Sequence, residues 1–459
     1  MFVIFKYSHG YPKFASIRLF NMATSVLLPP TEKVKGLKEL NRKLFEKTVL
    51  VPSLHLDKST VSKAIPIIKK YLLKLENFKA VQPCNSDVTI YLNPDKVKHW
   101  TCISEEDSSQ LYSLGVSNNN LKFEDITLTY NNYTYDIILK SVLPGDNDGL
   151  SSFTKIGHIL HVNLREHLLP YKKLIGEVLL EKVKNCKSVV NKLDMIDNTY
   201  RNFEMEILSG EDNMQTSVKE NGCLFEFDFS TVYWNSRLCT EHERIIEIVK
   251  SNDLFIDVFA GVGPFSIPIA KKGCYVHAND LNPESYRWLN HNMKINKVKE
   301  DYIKTYNKDG KDFIKTEVKN ILMKNINNYN IHIVMNLPAL AVEFVPHFVG
   351  LLKENTLEII KPPVLYVYCF AKGSETNTDF TAIAKTSVIK NIGFDISDKI
   401  INIFEVRTVS NFKKMMRVSL KLDKDILIGT TENLKRKRDD IEQDTQKILK
   451  CENGEEKTQ

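Results

Sequence analysis

A glycine-punctuated turn, Asp257-Val258-Phe259-Ala260-Gly261-Val262-Gly263-Pro264-Phe265, follows the apolar run Leu254-Phe255-Ile256 and leads into Ser266-Ile267-Pro268-Ile269-Ala270. An apolar run, an acidic residue, a tight loop and a helix start predict the strand–loop–helix unit that builds a nucleotide-cofactor cleft. Asp257, Gly261 and Gly263 are its cofactor-side candidates. The next apolar strand, around Tyr275-Val276, ends at Asp280, where a carboxylate can hold two ribose hydroxyls. The loop lacks the third glycine of a dinucleotide fingerprint and makes no strong case for a pyrophosphate. S-adenosylmethionine, which has a ribose but no phosphate chain, fits better than NAD or ATP.

Two later segments fall where further cofactor loops belong. Asp309-Gly310 stands before Asp312-Phe313-Ile314 and can border an adenine, although most such pairs are plain turns. The strand Ile331-His332-Ile333-Val334-Met335 runs into Asn336-Leu337-Pro338-Ala339. A polar side chain and a proline-fixed carbonyl at a strand end make a pair of acceptors for an exocyclic amine; the plainer reading is a helix start with proline in its first turn. The tetrapeptide ends in Ala339, without the aromatic residue of amino-methylating sites, and no cysteine nucleophile follows the proline. That pattern points to attack by a ring nitrogen.

Upstream stands Tyr233-Trp234-Asn235-Ser236-Arg237-Leu238-Cys239-Thr240-Glu241-His242-Glu243-Arg244, mixing aromatic, basic and acidic groups. Thr240 capping a helix, with Glu243 closing a capping box, explains those two residues and leaves Glu241 unexplained. Earlier still, Tyr200-Arg201-Asn202-Phe203-Glu204-Met205-Glu206-Ile207-Leu208-Ser209-Gly210 alternates apolar and charged residues, as a half-buried strand with Arg201 on its surface would.

The elements that position these residues form an alternating pattern. Strands are expected at residues 255–258, 275–278, 331–335, 364–370 and 418–422, with a long helix at 341–354. This is an α/β, doubly wound, Rossmann-like sheet. Before it, residues 59–75 carry apolar residues at helical spacing and residues 107–120 read as a linker. Strands are expected at residues 126–130, 135–139, 158–164 and 188–190, and a helix after Pro170. The resulting division is an N-terminal extension at 1–35, a small domain at 36–125, a middle α+β domain at 126–237, the cofactor domain at 238–430 and a charged tail at 431–459.

Composition agrees with several domains. The chain has 459 residues, 42% hydrophobic, with a formal net charge of +6. No apolar run approaches the roughly 18 residues of a membrane span, so no membrane partner is expected. The mild basicity is compatible with a nucleic-acid partner. The eight cysteines include no Cys-x-x-Cys pair, which argues against a zinc ribbon or disulfide framework. Residues 1–31 carry Lys6, Lys13 and Arg18 but no acid, resembling a mitochondrial transit segment, and Met22 offers a second start. Lys435-Arg436-Lys437-Arg438 reads as a solvated tail, a nuclear-import patch or a phosphate contact.

Taken together, these segments resemble the archaeal and eukaryotic tRNA (guanine-37-N1)-methyltransferase family, a class I, S-adenosylmethionine-dependent group. The matching stretches are Gly157-His158-Ile159-Leu160-His161-Val162-Asn163-Leu164-Arg165, residues 200–210, 233–244 and 257–265, Asp280-Leu281-Asn282-Pro283, and Asn336-Leu337-Pro338-Ala339. The resemblance implies a Rossmann-like methyltransferase domain preceded by two smaller α+β tRNA-recognition domains, acting as a monomer on tRNA with guanosine at position 37. It implies Glu241 as general base, Arg201 stabilising O6, and Asn336 with the Leu337 or Pro338 carbonyl orienting the base. Tyr233 would pack on the target nucleotide. Asp280 would hold the ribose with Leu281 beside it, His242 would lie on the cofactor side, and Asp309 and Gly310 would border the adenine. His158, His161 and His167 fall in the family's middle-domain segment, so no metal is assigned. Two alternatives are an aminocarboxypropyl transferase of wybutosine synthesis on a related fold, and a catalytically silent tRNA-binding protein. Mitochondrial, cytoplasmic and nuclear pools are expected.

Overall fold

Strand β1, Lys47–Asp57, buries Val49, the run Val51–Leu54 and Leu56, and this strand organises the first sheet. The computed structural model describes residues 25–84, 87–145, 153–195, 203–353, 358–375 and 378–429. β2 (Val81–Cys84), β3 (Asp87–Tyr91) and β4 (Leu121–Leu128) complete an antiparallel sheet of order β2-β3-β1-β4. Residue 126, expected to open a second domain, therefore lies within a strand paired to β1. The helix Lys58–Ile68 forms where helical spacing predicts one.

Two expectations in this region are corrected. Residues 107–120 are no linker, because the helix Glu105–Ser113 occupies much of them. Its cap explains the polarity that misleads: Ser104 caps the first turn, and the buried Asp107 accepts from Tyr71 at 2.7 Å and pairs with Lys70 at 2.6 Å. Residues 135–139 are no strand but part of the helix Tyr135–Val142. Ile138, Leu139 and Val142 are buried, an i, i+1, i+4 stripe that a short window conceals.

β5 (Phe153–Ile156), β6 (Ile159–Val162), β7 (Ser188–Met195) and β8 (Phe203–Gly210) form a second sheet in that order, and the helix Lys172–Lys182 follows Pro170 as expected. β9 (Gln215–Glu220) and β10 (Cys223–Asp228) make a hairpin. Its turn residues Asn221 and Gly222 both have positive φ, 47° and 70°, the demand of a two-residue primed turn that Asn-Gly meets at low strain.

The chain divides into two compact units. One is drawn from Met1–Phe153, Leu160–Asn191 and Ile207–Glu211, the other from Thr154–Ile159, Lys192–Glu206 and Asp212–Gln459. The second unit holds the seven-stranded sheet. It comprises β11 (Leu254–Asp257), β12 (Tyr275–Asn279), β13 (Ile303–Tyr306), β14 (Ile331–Met335), β15 (Val364–Lys372), β16 (Ile400–Ser410) and β17 (Lys413–Lys421), in the order β13-β12-β11-β14-β15-β17-β16. The first five are parallel, and β17 and β16 close the edge antiparallel. β11 and β14 are buried along their whole length, which is why both read as continuous apolar runs. The doubly wound expectation holds. The long helix expected at 341–354 does not form: Ala341–Phe344 passes into a 3₁₀ turn at Val345–Phe348. Pro346 removes a backbone donor there, and Gly350 turns the chain at φ 67°.

Candidate active site

The loop after β11 sits at the carboxyl ends of the parallel strands, where open α/β sheets bind ligands. Its two glycines serve different ends. Gly261 has φ 55°, and a Cβ there would meet nothing within 4 Å; Gly263 has φ 98°, and a Cβ there would lie 2.7 Å from Ile267 and Leu289 side-chain carbons. The first leaves open space over the loop, and the second lets it pack on the following helix. Asp280 ties the loop down: its Oδ2 accepts from Gly261 N at 2.8 Å, and its Oδ1 accepts from Asn282 N at 2.9 Å. Asp257 is fully buried, with Oδ2 accepting from Ser266 Oγ at 2.8 Å and Oδ1 without a partner. Burial raises both carboxyls, Asp257 to about 7 and Asp280 to about 6.

Asn279, which the sequence reading passed over, joins three of these loops. Its amide donates to the Val258 carbonyl at 3.1 Å and the Lys308 carbonyl at 3.0 Å, and its Oδ1 accepts from Lys308 N at 3.0 Å. Asn279→Leu strips one buried and two part-buried backbone groups of their partner and is expected to destabilise the fold by about 2–3 kcal/mol. Urea unfolding of the purified chain checks this, and an unchanged midpoint would show the loops hold without it.

The adenine-side candidates have structural duties. Asp309 caps the helix Gly310–Phe313 by accepting from Lys311 N and Asp312 N. Gly310 packs so closely that a Cβ would lie 2.8 Å from Phe259 and 2.9 Å from Phe344. Leu281 is exposed beside Asp280, and Asn307 donates to the carbonyls of both.

Asn336 follows the last residue of β14, and its Oδ1 is buried without a partner. An amide acceptor left open at a strand end is a position made for a ligand donor. The carbonyls beside it are engaged: that of Leu337 accepts from Leu340 N and Ala341 N at 2.8 and 2.7 Å, and that of Pro338 accepts from Phe370 N at 3.1 Å. The Leu337 carbonyl is thus spent on its own turn, which leaves Pro338 with one lone pair.

Glu241 lies in the helix Cys239–Ile248. Thr240 is not its cap. Asn235 caps the preceding 3₁₀ turn, Ser236–Leu238, by accepting from Arg237 N, and that turn runs directly into the helix. Glu241 is only 2% exposed. Its Oε1 accepts from the Tyr368 hydroxyl at 2.7 Å and from Arg417 Nη1 at 2.5 Å, and its Oε2 pairs with Arg244. Burial and the Glu241 carboxylate push the Tyr368 hydroxyl well above its ordinary range. His242, next in the helix, is also buried; its Nδ1 meets Glu220 Oε1 at 2.5 Å and its ring stands edge-on to Phe265 of the loop. Tyr233 is 54% exposed, with its hydroxyl accepting from Asn235 at 3.2 Å. Arg201 lies outside the described residues.

Tyr368 and Arg417 escaped the sequence reading because they are 127 and 176 residues from Glu241. One signal was available. Arg417 interrupts Met415-Met416-Arg417-Val418, a run otherwise fit for a buried strand, and a buried cation needs an anion.

Comparison with known proteins agrees with this architecture. Residues 216–360 match the TRM5/TYW2 methyltransferase domain and residues 135–213 the TYW2 N-terminal domain. A tRNA (guanine(37)-N(1))-methyltransferase of Drosophila melanogaster is 47% identical over 429 residues, covering 91% of this chain and 92% of its own. That of Danio rerio is 42% identical over 443 residues, covering 93% and 90%. Among solved structures, Trm5b from Pyrococcus abyssi superposes with a TM-score of 0.55 at 21% identity, over 81% of this chain and 99% of its own, a likeness of fold. With a doubly wound, mostly parallel sheet and relatives this similar over nearly their whole length, the chain belongs to the tRNA (guanine(37)-N(1))-methyltransferase family.

Proposed function

We propose that this enzyme transfers a methyl group from S-adenosylmethionine to N1 of guanosine 37 in tRNA. The observation that carries the reading is Glu241, a carboxylate buried on the helix that leads into the cofactor fold. Guanine N1 bears a proton at neutral pH, so a base must take that proton before the ring nitrogen can attack. Glu241 has the chemistry for that step, and the unpartnered Oδ1 of Asn336 suits a donor on the base edge. Negative charge then builds on O6, where the guanidinium of Arg201 would stabilise it. Tyr233, exposed near the start of the same segment, would pack on the extruded nucleotide.

The cleft residues suit the cofactor. Asp280, bonded by the Gly261 and Asn282 amides and the Ser285 side chain, keeps acceptor capacity for a ribose hydroxyl, Asp257 has an open Oδ1, and Gly261 leaves room above the loop. When bound, S-adenosylmethionine supplies the electrophilic methyl group. tRNA as partner is supported by the relatives' names and by a similar fold solved as a complex of aTrm5 and tRNALeu, TM-score 0.53. The enzyme acts as a monomer, and mitochondrial, cytoplasmic and nuclear pools are proposed from its two terminal segments; fusions started at Met1 and at Met22 test that.

The test of the reaction is methylation of transcripts carrying guanosine or adenosine at position 37, read by mass spectrometry of the nucleosides. Product from guanosine alone, heavier by one methyl, is expected. Equal activity on both, or a larger added group, would overturn the reading.

Cofactor binding carries its own pH dependence. Ribose hydroxyls would donate to ionised Asp280, whose carboxyl is raised to about 6 by burial. Affinity is therefore expected to be level above pH 7 and to fall as pH drops through 6, by up to tenfold per unit. In the ligand-free protein the sign reverses. Raised carboxyls stabilise the fold most below their unfolded values near 4, and this contribution is lost as pH rises through about 6 to 7. Calorimetric titration with S-adenosylhomocysteine at pH 5.5 to 8, on wild type and Asp280→Asn, checks it; the variant should bind weakly and without that slope.

A further inference from the structure

We infer that Arg244 is a displaceable cover on the Glu241 carboxylate, drawn off by a phosphodiester of the incoming nucleic acid, while Tyr368 and Arg417 are permanent positioning residues. This rests on Glu241 being the base.

Tyr368 and Arg417 are directly paired across β15 and β17, and Arg417 and Phe404 are directly paired across β17 and β16. The three side chains form a row across adjacent strands, and Glu241 is held against two of them. Tyr368 is wholly buried and Arg417 is 3% exposed, so neither can leave Oε1 without opening the core.

Arg244 differs in origin and exposure. It comes from the same helix as Glu241, one turn on, and its side chain is 34% exposed. Its guanidinium lies 4.2 Å from the centre of the Phe404 ring, while that of Arg417 lies 5.2 Å from the same ring. The ring gives Arg244 a surface on which to swing without losing its stacking. Both carboxylate oxygens are occupied as the cluster stands, and Oε2 is the one whose partner can go. The cluster also sets two guanidinium groups against one carboxylate. That imbalance suits a second anion, and the solvent-reaching member can pair with a phosphate bidentately. Binding the nucleic acid would thus uncover the base only when the substrate is present.

The experiment measures tRNA affinity over a range of salt and the single-turnover rate at saturating tRNA, on full-length Arg244→Met, Arg244→Lys, Tyr368→Phe and Glu241→Gln. For Arg244→Met, affinity should fall about tenfold and the salt slope by about one, while the saturated rate does not fall, because bound tRNA has already drawn the cover off in the wild type. Arg244→Lys should restore the slope. Tyr368→Phe should slow the saturated rate about tenfold with affinity unchanged. An unchanged slope in Arg244→Met, or a fall in its saturated rate matching that of Tyr368→Phe, would overturn the cover. Melting curves with S-adenosylhomocysteine identify any variant that fails to fold; Arg244→Lys, conservative and at a partly exposed position, then decides through its saturated rate, which must not fall. If Glu241→Gln keeps its rate, the base assignment itself is wrong; if Glu241→Gln loses its rate and Arg244→Met keeps the wild-type slope, only the cover is.

Discussion

Glu241→Gln is expected to lower the single-turnover rate by about 10²–10⁴ while S-adenosylhomocysteine binds as before. Glutamine keeps the shape and can still accept from Tyr368, but it cannot take a proton. The substitution also leaves the Arg417 guanidinium, 4% exposed as a side chain, without its counter-charge. Breaking a buried pair in this way destabilises by up to about 3–5 kcal/mol, softened here because an amide oxygen remains to accept. The rate must therefore be read below the variant's own melting temperature. A normal rate there would remove Glu241 from the chemistry, and a lost rate with lost cofactor binding would point to misfolding.

Asn336→Ala separates function from stability with opposite signs. The Oδ1 of Asn336 is buried and accepts nothing, so removing it relieves an unsatisfied acceptor and leaves the melting temperature of the free protein unchanged or slightly higher. The saturated rate, in contrast, is expected to fall about 10²-fold, because the base edge loses an oriented partner. A large drop in melting temperature would show that the amide supports the strand end; an unaltered rate would show that it meets nothing during the reaction.

Legibility from the sequence tracked the range of the interactions. The β11 loop, Asp280 and the Asn336 tetrapeptide were readable because each is a local pattern at a strand end, and the alternating apolar runs placed four of the seven strands of the catalytic sheet closely. β13 and β16 were missed. β16 has no buried residue and register shifts at Asn402, Arg407 and Ser410, so its sequence has no clean period. The β9–β10 hairpin carries a strong local signal in Asn221-Gly222, whose φ values are both positive. Thr240 was given a cap that Asn235 supplies instead, since a 3₁₀ turn fused to a helix moves the start upstream. The partners of Glu241 were out of reach for a different reason. No local rule connects a helix residue to strands that join it only once the sheet is built.

That long reach has a consequence for how the protein is made. Residues 239–248, with the loop and the first parallel strands, emerge from the ribosome well before β17 does, and a nascent chain begins to fold as it appears. Until Arg417 arrives, the carboxylate of Glu241 has no buried cation to receive it, and sinking it into the core is unfavourable. The proton-accepting half of the centre is complete only when translation has passed residue 417, and the late strands carry part of the same core as the early ones.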